Sequence, residues 1–394
     1  MVKRQLSAVI RRYADEYPVV TLTGPRQSGK TTLCKSVFGG HQWLNLVNPS
    51  IRREAETDPV RFLARHGERM ILDEIQYAPE LLSYIQDRVD RDPAAGRFIL
   101  TGSANLEVME QVSETLAGRT ALATLLPFSW GEIYHGRTTP DLDSILFTGF
   151  YPRIFDRGLR PHEALSFYLR TYVERDVRKL LNVRDLSRFD LFVRMCAGRC
   201  GRLLNMNSLG NDVGLNHVTV AGWLSVLEAS FITFFLRPHH MNFNKRMVKS
   251  PKLYFHDCGL ACNLLNVESA PNLAFHPLRG PLFESFIVAE LFKQRLHTGN
   301  PPNLYFWRDN VGHEIDCLFD FGVSQFPVEI KSGSTVTSDF FKNLRFYRKI
   351  NPGCHTGAVI YGGDRSYRED GFYIVSYKDI HAFESIDASC RPAM

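Results

Sequence analysis

"PVVTLTGPRQSGKTTL", Pro18 to Leu33, decides how the first half of this chain folds. Val19 to Thr23 is a β-branched run that reads as a strand, Gly24 to Thr31 spells G-x-x-x-x-G-K-T, and a helical pattern follows. In that setting the two glycines let the backbone wrap so that its N–H groups point inward, and the opening helix adds the positive end of its dipole. The product is a phosphate cradle. Gly24, Pro25, Arg26, Gln27, Ser28, Gly29, Lys30, Thr31 and Thr32 are the expected nucleotide contacts, with Lys30 reaching the β and γ phosphates of ATP and the Thr31 hydroxyl ligating Mg2+.

A nucleotide-hydrolysing loop needs a carboxylate-bearing strand, and "RMILDEIQYAP", Arg69 to Pro79, supplies one. Met70, Ile71 and Leu72 read as a buried strand ending at Asp73 and Glu74, as parallel strands end at the ligand side of an open α/β sheet. Asp73 is the expected Mg2+ partner, and Glu74 the group that takes the proton of the attacking water. "GRFILTGSAN" reads as a third such strand, where Thr101 or Ser103 can sense the γ-phosphate. Arg119, in the small-residue turn of "LAGRTALAT", is a candidate charge-stabilising arginine.

Length and composition frame this reading. At 394 residues the chain exceeds one ordinary core, so two or three domains are expected. Apolar runs such as "SFITFFL" are too short to span a bilayer, and the N-terminus "MVKRQLSAVIRRY" has helical periodicity without the apolar core of a secretion signal, which points to the cytoplasm and to no membrane partner. The close cysteine pairs Cys196/Cys200 and Cys258/Cys262, with His256 near the second, fit reduced buried thiols better than a zinc site. The net charge of +5 is unevenly spread: residues 161 to 250 hold 13 Lys and Arg against 7 Asp and Glu. A polyanion such as DNA is the partner that this concentration of charge fits.

The order of Gly24 to Thr31, "ILDEIQ", "ILTGS", "LAGR" and "LPFSWGE" resembles the AAA-type ATPases of bacteria and archaea whose C-terminal half is a separate domain of unknown function. "YLRTYVERDV", "SPKLYFHDCGL" and "VEIKSG" match in order as well, so the resemblance spans nearly the whole chain. It implies ATP and Mg2+ as cofactors, and an oligomer in which a neighbour completes the site with an arginine.

From Pro161 the pattern turns helical. A short helix near Ser208 to Asp212, a turn at Gly214, and a second helix capped by Asn216 with Val220, Trp223, Leu224 and Leu227 inward precede two β-rich runs, "FITFFL" and "KLYF". Between the runs lies a loop with Arg237, Lys245, Arg246 and Lys249. This is the outline of a winged helix, in which His217 and Thr219 would enter a groove and the wing would contact phosphates.

Further on, "PLFESFIVAELFKQRL" has helical spacing with Glu284 on its apolar side, a buried charge that something must compensate. In "LYFWRDNVGHEIDCLFDFG" Glu314 and Asp316 alternate with apolar residues, and "FPVEIKSG" comes next with Glu329 and Lys331 on one face of a strand. Asp316, Glu329 and Lys331 make a D…E-x-K pattern, with Glu284 as a further acid. Its spacing resembles the restriction-endonuclease-like fold, which implies a divalent metal held by Glu284, Asp316 and Glu329, with Glu329 and Lys331 in the chemistry. In "KNLRFY", Asn343 and Tyr347 sit one helical turn apart, where such nucleases carry a polar helix.

The expected architecture is α/β: a P-loop NTPase domain with a parallel sheet (1–158), a helical and winged-helix domain (159–270) and a restriction-endonuclease-like domain (271–394). The expected activity is a Mg2+-dependent ATPase that binds and remodels or processes DNA. The alternative is a nucleotide-controlled docking switch whose C-terminal domain is catalytically silent.

Overall fold

In a computed structural model the chain divides into two compact units, the first built mainly of residues 1–128 and the second of most of residues 129–394. The structure describes residues 2–102, 111–112, 114–173, 186–239 and 250–383. Ser103 and the loop lysines and arginine Lys245, Arg246 and Lys249 lie outside them.

The first unit is a five-stranded sheet in the order β2-β3-β4-β1-β5, formed by Gln42–Asn45 (β2), Met70–Asp73 (β3), Phe98–Thr101 (β4), Val19–Thr23 (β1) and Thr120–Thr124 (β5). Every pairing is parallel. Strands β1, β3 and β4 are buried along their whole length, which is why they read as unbroken apolar runs. Their side chains still alternate: Val20, Leu22, Ile71 and Ile99 pack with Leu6, Ile10 and Leu33 of the helices α1 (Leu6–Glu16) and α2 (Lys30–Val37). Val19, Met70, Leu72, Phe98 and Leu100 pack against Phe62, Leu81 and Ile85 from helices on the other face. Because the strands are parallel, Thr23, Asp73 and Thr101 all end at one edge.

The second unit holds an eight-stranded mixed sheet, β12-β13-β11-β10-β9-β8-β6-β7. Its centre is Leu304–Arg308 (β8), Glu314–Asp320 (β9), Gln325–Lys331 (β10) and Ala358–Tyr361 (β11), with β8, β9 and β10 antiparallel neighbours and β11 parallel to β10. Tyr367–Glu369 (β12) and Phe372–Ser376 (β13) complete one edge, and Thr233–Pro238 (β6) and Lys252–Phe255 (β7) the other.

The helices read before that hairpin are present, as Met206–Val213 and His217–Ala229, with Gly214 in the left-handed conformation between them. The Asn216 side chain accepts from the Thr219 N–H at 2.8 Å, and Val220, Trp223, Leu224 and Leu227 are buried. The hairpin departs from the expected outline. β6 pairs in parallel with β8 through Arg237↔Tyr305 and Pro238↔Phe306, so β6 and β7 extend the C-terminal sheet instead of standing as a separate wing. Pairing satisfies β6 backbone groups that an isolated hairpin would leave to water.

One sequence motif proves to be scaffold. Buried Asp257 of "FHDCGL" caps the helix Cys258–Leu264 through the Leu260 N–H at 2.8 Å and accepts from the Phe150 N–H at 2.6 Å. The close cysteines are buried thiols, with Cys200 pushed up to about 12 chiefly by burial. Among the described residues no helix is long and apolar enough to cross a membrane.

Candidate functional sites

The loop after β1 is shaped by three left-handed residues, Gly24, Gln27 and Gly29. Gly24 has φ near +140°, and a Cβ there would lie 2.1 Å from the Leu125 carbonyl oxygen, so only glycine lets the loop leave the sheet this close to the end of β5. Gly29 ends the turn and α2 begins at Lys30. The Lys30 ammonium donates to the carbonyls of Gly24 (2.9 Å) and Pro25 (2.8 Å), folding across its own loop. Burial pulls the Lys30 pKa down to about 8; Arg26 acts in the same direction, while Glu74 and Asp73 oppose it. Beneath the loop, Arg4 donates to the carbonyls of Ser28 and Leu126, each at 2.7 Å, and fixes it to the end of β5.

Asp73 is 4% exposed at the end of β3 and is held by neutral donors. The Thr31 hydroxyl donates to it at 2.9 Å, the Trp43 indole at 3.3 Å, and the Thr101 hydroxyl closes the set. Thr101 stands on β4, the strand between β1 and β3, and also accepts from the Glu74 N–H at 3.1 Å. Glu74 itself has φ +62°, a left-handed conformation that costs a non-glycine residue about 1 kcal/mol or more, and its carboxylate accepts from Gln76.

The second cluster lies in the C-terminal sheet. Lys331 reaches Glu329 at 2.6 Å and Asp316 at 3.3 Å, so the acid and amine of "EIK" do share a face. Glu329 is 1% exposed; burial and the nearby Asp316 push its pKa up to about 8, against the pull of Lys331 and Asn343. Lys252 of β7 lies 3.0 Å from Glu284, 2.5 Å from Glu314 and 3.9 Å from Asp316, and Tyr254 donates to Glu284 at 2.5 Å. These are the groups that compensate Glu284. Glu284, Asp316 and Glu329, the expected metal ligands, lie against two ammonium groups, those of Lys252 and Lys331. Among the described residues no group of three or more His, Cys, Asp or Glu side chains is arranged to hold a metal ion.

Residues 16–134 match the family model described as an AAA domain. The first unit carries an AAA-type P-loop domain. Residues 139–270 and 279–380 match two models described as domains of unknown function (DUF8612 and DUF4143). Uncharacterized proteins of Mycobacterium tuberculosis and Mycobacterium bovis are each 29% identical over 337 residues, covering 84% of this chain and 74% of theirs. Among solved structures, a Walker-type ATPase of Pyrococcus abyssi aligns with 66% of this chain and 94% of its own at 14% identity and TM-score 0.45. RuvB of Thermotoga maritima aligns with 59% of this chain and 86% of its own at 16% identity and TM-score 0.28.

Of the residues expected at the P-loop site, Thr31 and Thr101 both donate to Asp73, and Lys30 begins α2 with its ammonium on the Gly24 and Pro25 carbonyls. Arg119 does not join them. It precedes β5, its carbonyl accepts from the Val19 N–H at the start of β1, and its guanidinium is paired with Asp90. That places it at the opposite edge of the sheet from the loop, about five strand residues or roughly 16 Å away. Tyr347, read as part of a polar helix, is a fully buried core residue whose hydroxyl accepts from Asn351. Participants that escaped the sequence reading include Arg4 and Trp43 in the first unit and Lys252 and Tyr254 in the second. Lys252 left one signal: a lysine two residues from a tyrosine in a strand of four, all buried.

Proposed function

We propose that this chain is a Mg2+-dependent ATPase whose hydrolytic cycle at the P-loop acts on DNA through the second unit. The observation that carries the ATPase reading is the 2.9 Å contact between the Thr31 hydroxyl and the Asp73 carboxylate at the mouth of the loop. A hydroxyl and a carboxylate side by side, held by donors that carry no charge, suit a magnesium ion that takes one or two protein oxygens and leaves its other positions to water and phosphate. When bound there, the ion would neutralise charge on the β and γ phosphates.

The chain's own groups do the rest. Lys30 leaves the Gly24 and Pro25 carbonyls for the phosphates, a stronger pairing because both partners are charged. Loop N–H groups orient the triphosphate, and Glu74 receives the proton of the attacking water once it parts from Gln76. Thr101 keeps Asp73 and the Glu74 backbone in fixed relation.

DNA as the partner is supported by the basic excess of residues 161–250. A restriction-endonuclease-like fold for the C-terminal part is supported by Asp316, Glu329 and Lys331 converging within 3.3 Å across adjacent strands. The alternative of a catalytically silent C-terminal domain is favoured by Lys252 among the acids. ATP turnover with and without duplex, forked and four-way DNA tests the proposal. Expected is Mg2+-dependent hydrolysis, stimulated by DNA and lost in Glu74→Gln by about 10²- to 10⁴-fold. Folded protein that neither binds nor hydrolyses ATP overturns the ATPase reading, and turnover indifferent to DNA overturns the DNA reading.

A further inference from the structure

The acid cluster of the C-terminal sheet is already supplied with a cation. Lys252 is 3% exposed, and its ammonium has Glu284, Glu314 and Asp316 around it at 3.0, 2.5 and 3.9 Å. Lys331 bridges Asp316 and Glu329, and Arg308 pairs with the other oxygen of Glu314 at 2.8 Å. Lys252 cannot easily swing away. Its backbone is pinned on both sides, to Leu236 of β6 and by a bridge to Leu203, and its neighbour Tyr254 fixes the same Glu284 oxygen.

We propose that Lys252 is the resident cation of this cluster, in the place that a divalent ion takes in a metal-dependent nuclease, and that the C-terminal unit therefore binds no catalytic metal and cleaves no phosphodiester. An incoming divalent ion would meet a positive charge a few ångströms away in a poorly solvated setting, where repulsion is strong. It would also have to displace donors from the cluster's oxygens, which two ammonium groups, a guanidinium, a phenol and the Ile330 N–H hold, apart from the buried Glu329 Oε1. Magnesium, which demands near-octahedral oxygen ligation, has no such set here. The D…E-x-K residues keep their register because the lysines replace the metal as the electrostatic centre of the sheet.

The test is Mn2+ binding to the nucleotide-free full chain, followed by electron paramagnetic resonance, in wild type, Asp316→Asn, Lys252→Met and the Lys252→Met/Asp316→Asn double variant. Expected is wild-type binding unchanged by Asp316→Asn, a new site in Lys252→Met at least about tenfold tighter than any in wild type, and loss of that site in the double variant. The proposal is overturned if Asp316→Asn removes a wild-type Mn2+ site, or if Lys252→Met, folded by circular dichroism, gains none. Should Lys252→Met not fold, the wild-type and Asp316→Asn pair decides alone. Wild-type cleavage of forked or four-way DNA in Mg2+ or Mn2+ that Asp316→Asn abolishes also overturns it. No nucleotide enters the Mn2+ assay, so its outcome is independent of the ATPase reading.

Discussion

Asp73 and Asp316 are both nearly buried carboxylates at strand positions that sequence patterns assign to a metal, yet their surroundings differ in one decisive respect. Asp73 is held by two hydroxyls and an indole, none of which carries charge. Asp316 also accepts from a neutral donor, the Ile330 N–H at 2.8 Å, but it lies between two ammonium groups, Lys331 at 3.3 Å and Lys252 at 3.9 Å. A carboxylate with only neutral donors at hand keeps its negative charge to offer, whereas one set between ammonium groups is already largely compensated. The same residue type is thus poised for a cation in one unit and closed to it in the other.

Breaking the second arrangement should have the largest effect on stability. Lys252→Met leaves Glu284 and Glu314 without their ammonium, and removing one partner of such a buried set costs about 3 to 5 kcal/mol. Thermal unfolding should show this loss, with Mn2+ restoring part of it in the variant and nothing in wild type. Next is Lys30→Ala. Truncation removes the positive charge aimed at the phosphates, and ATP turnover should fall about 10²- to 10³-fold while the melting temperature, measured in parallel, stays near wild type.

A pH series sharpens the comparison from the other side. Lys30 in the free loop has its pKa pulled down to about 8 by burial, and the phosphates of ATP push it back up. Binding therefore takes up a proton above pH 8, and affinity falls as pH rises: about tenfold between pH 7 and pH 9, by equilibrium titration. Lys30→Arg keeps its charge throughout and should show no such slope.

Legibility in the sequence tracks the distance between partners. Lys30 and Thr31 lie in one run with the glycines that shape the loop, and Asp73 ends a strand whose parallel setting the apolar run announced, so the P-loop site could be read almost whole. Arg119 misled because it stands in a turn before its strand; in a parallel sheet that is the edge away from the ligand, and chain direction alone carried the warning. Lys252 meets Glu284 and Glu314 across 32 and 62 positions of sequence, and the choice of sheet for β6 is set by a pairing with β8 across 68 positions. No local pattern encodes which edge a strand will join. Glu284 was legible as a charge needing a partner, but the partner's identity was not.

The smallest expected effect concerns Trp43, the neutral donor that the motif does not contain. Its indole N–H reaches Asp73 at 3.3 Å while the Lys35 ammonium lies 3.1 Å from the ring centroid, so one side chain carries a hydrogen bond on its edge and a cation on its face. Trp43→Phe keeps the face and deletes the edge. A hydrogen bond as long as this one contributes about 1 kcal/mol, so the Mg2+ concentration that half-saturates ATP hydrolysis should rise about fivefold, with ATP affinity in the absence of Mg2+ unchanged. If Mg2+-free affinity falls instead, the ring acts through its packing on α2, and the account of Asp73 as a carboxylate tuned by uncharged donors loses one of its three supports.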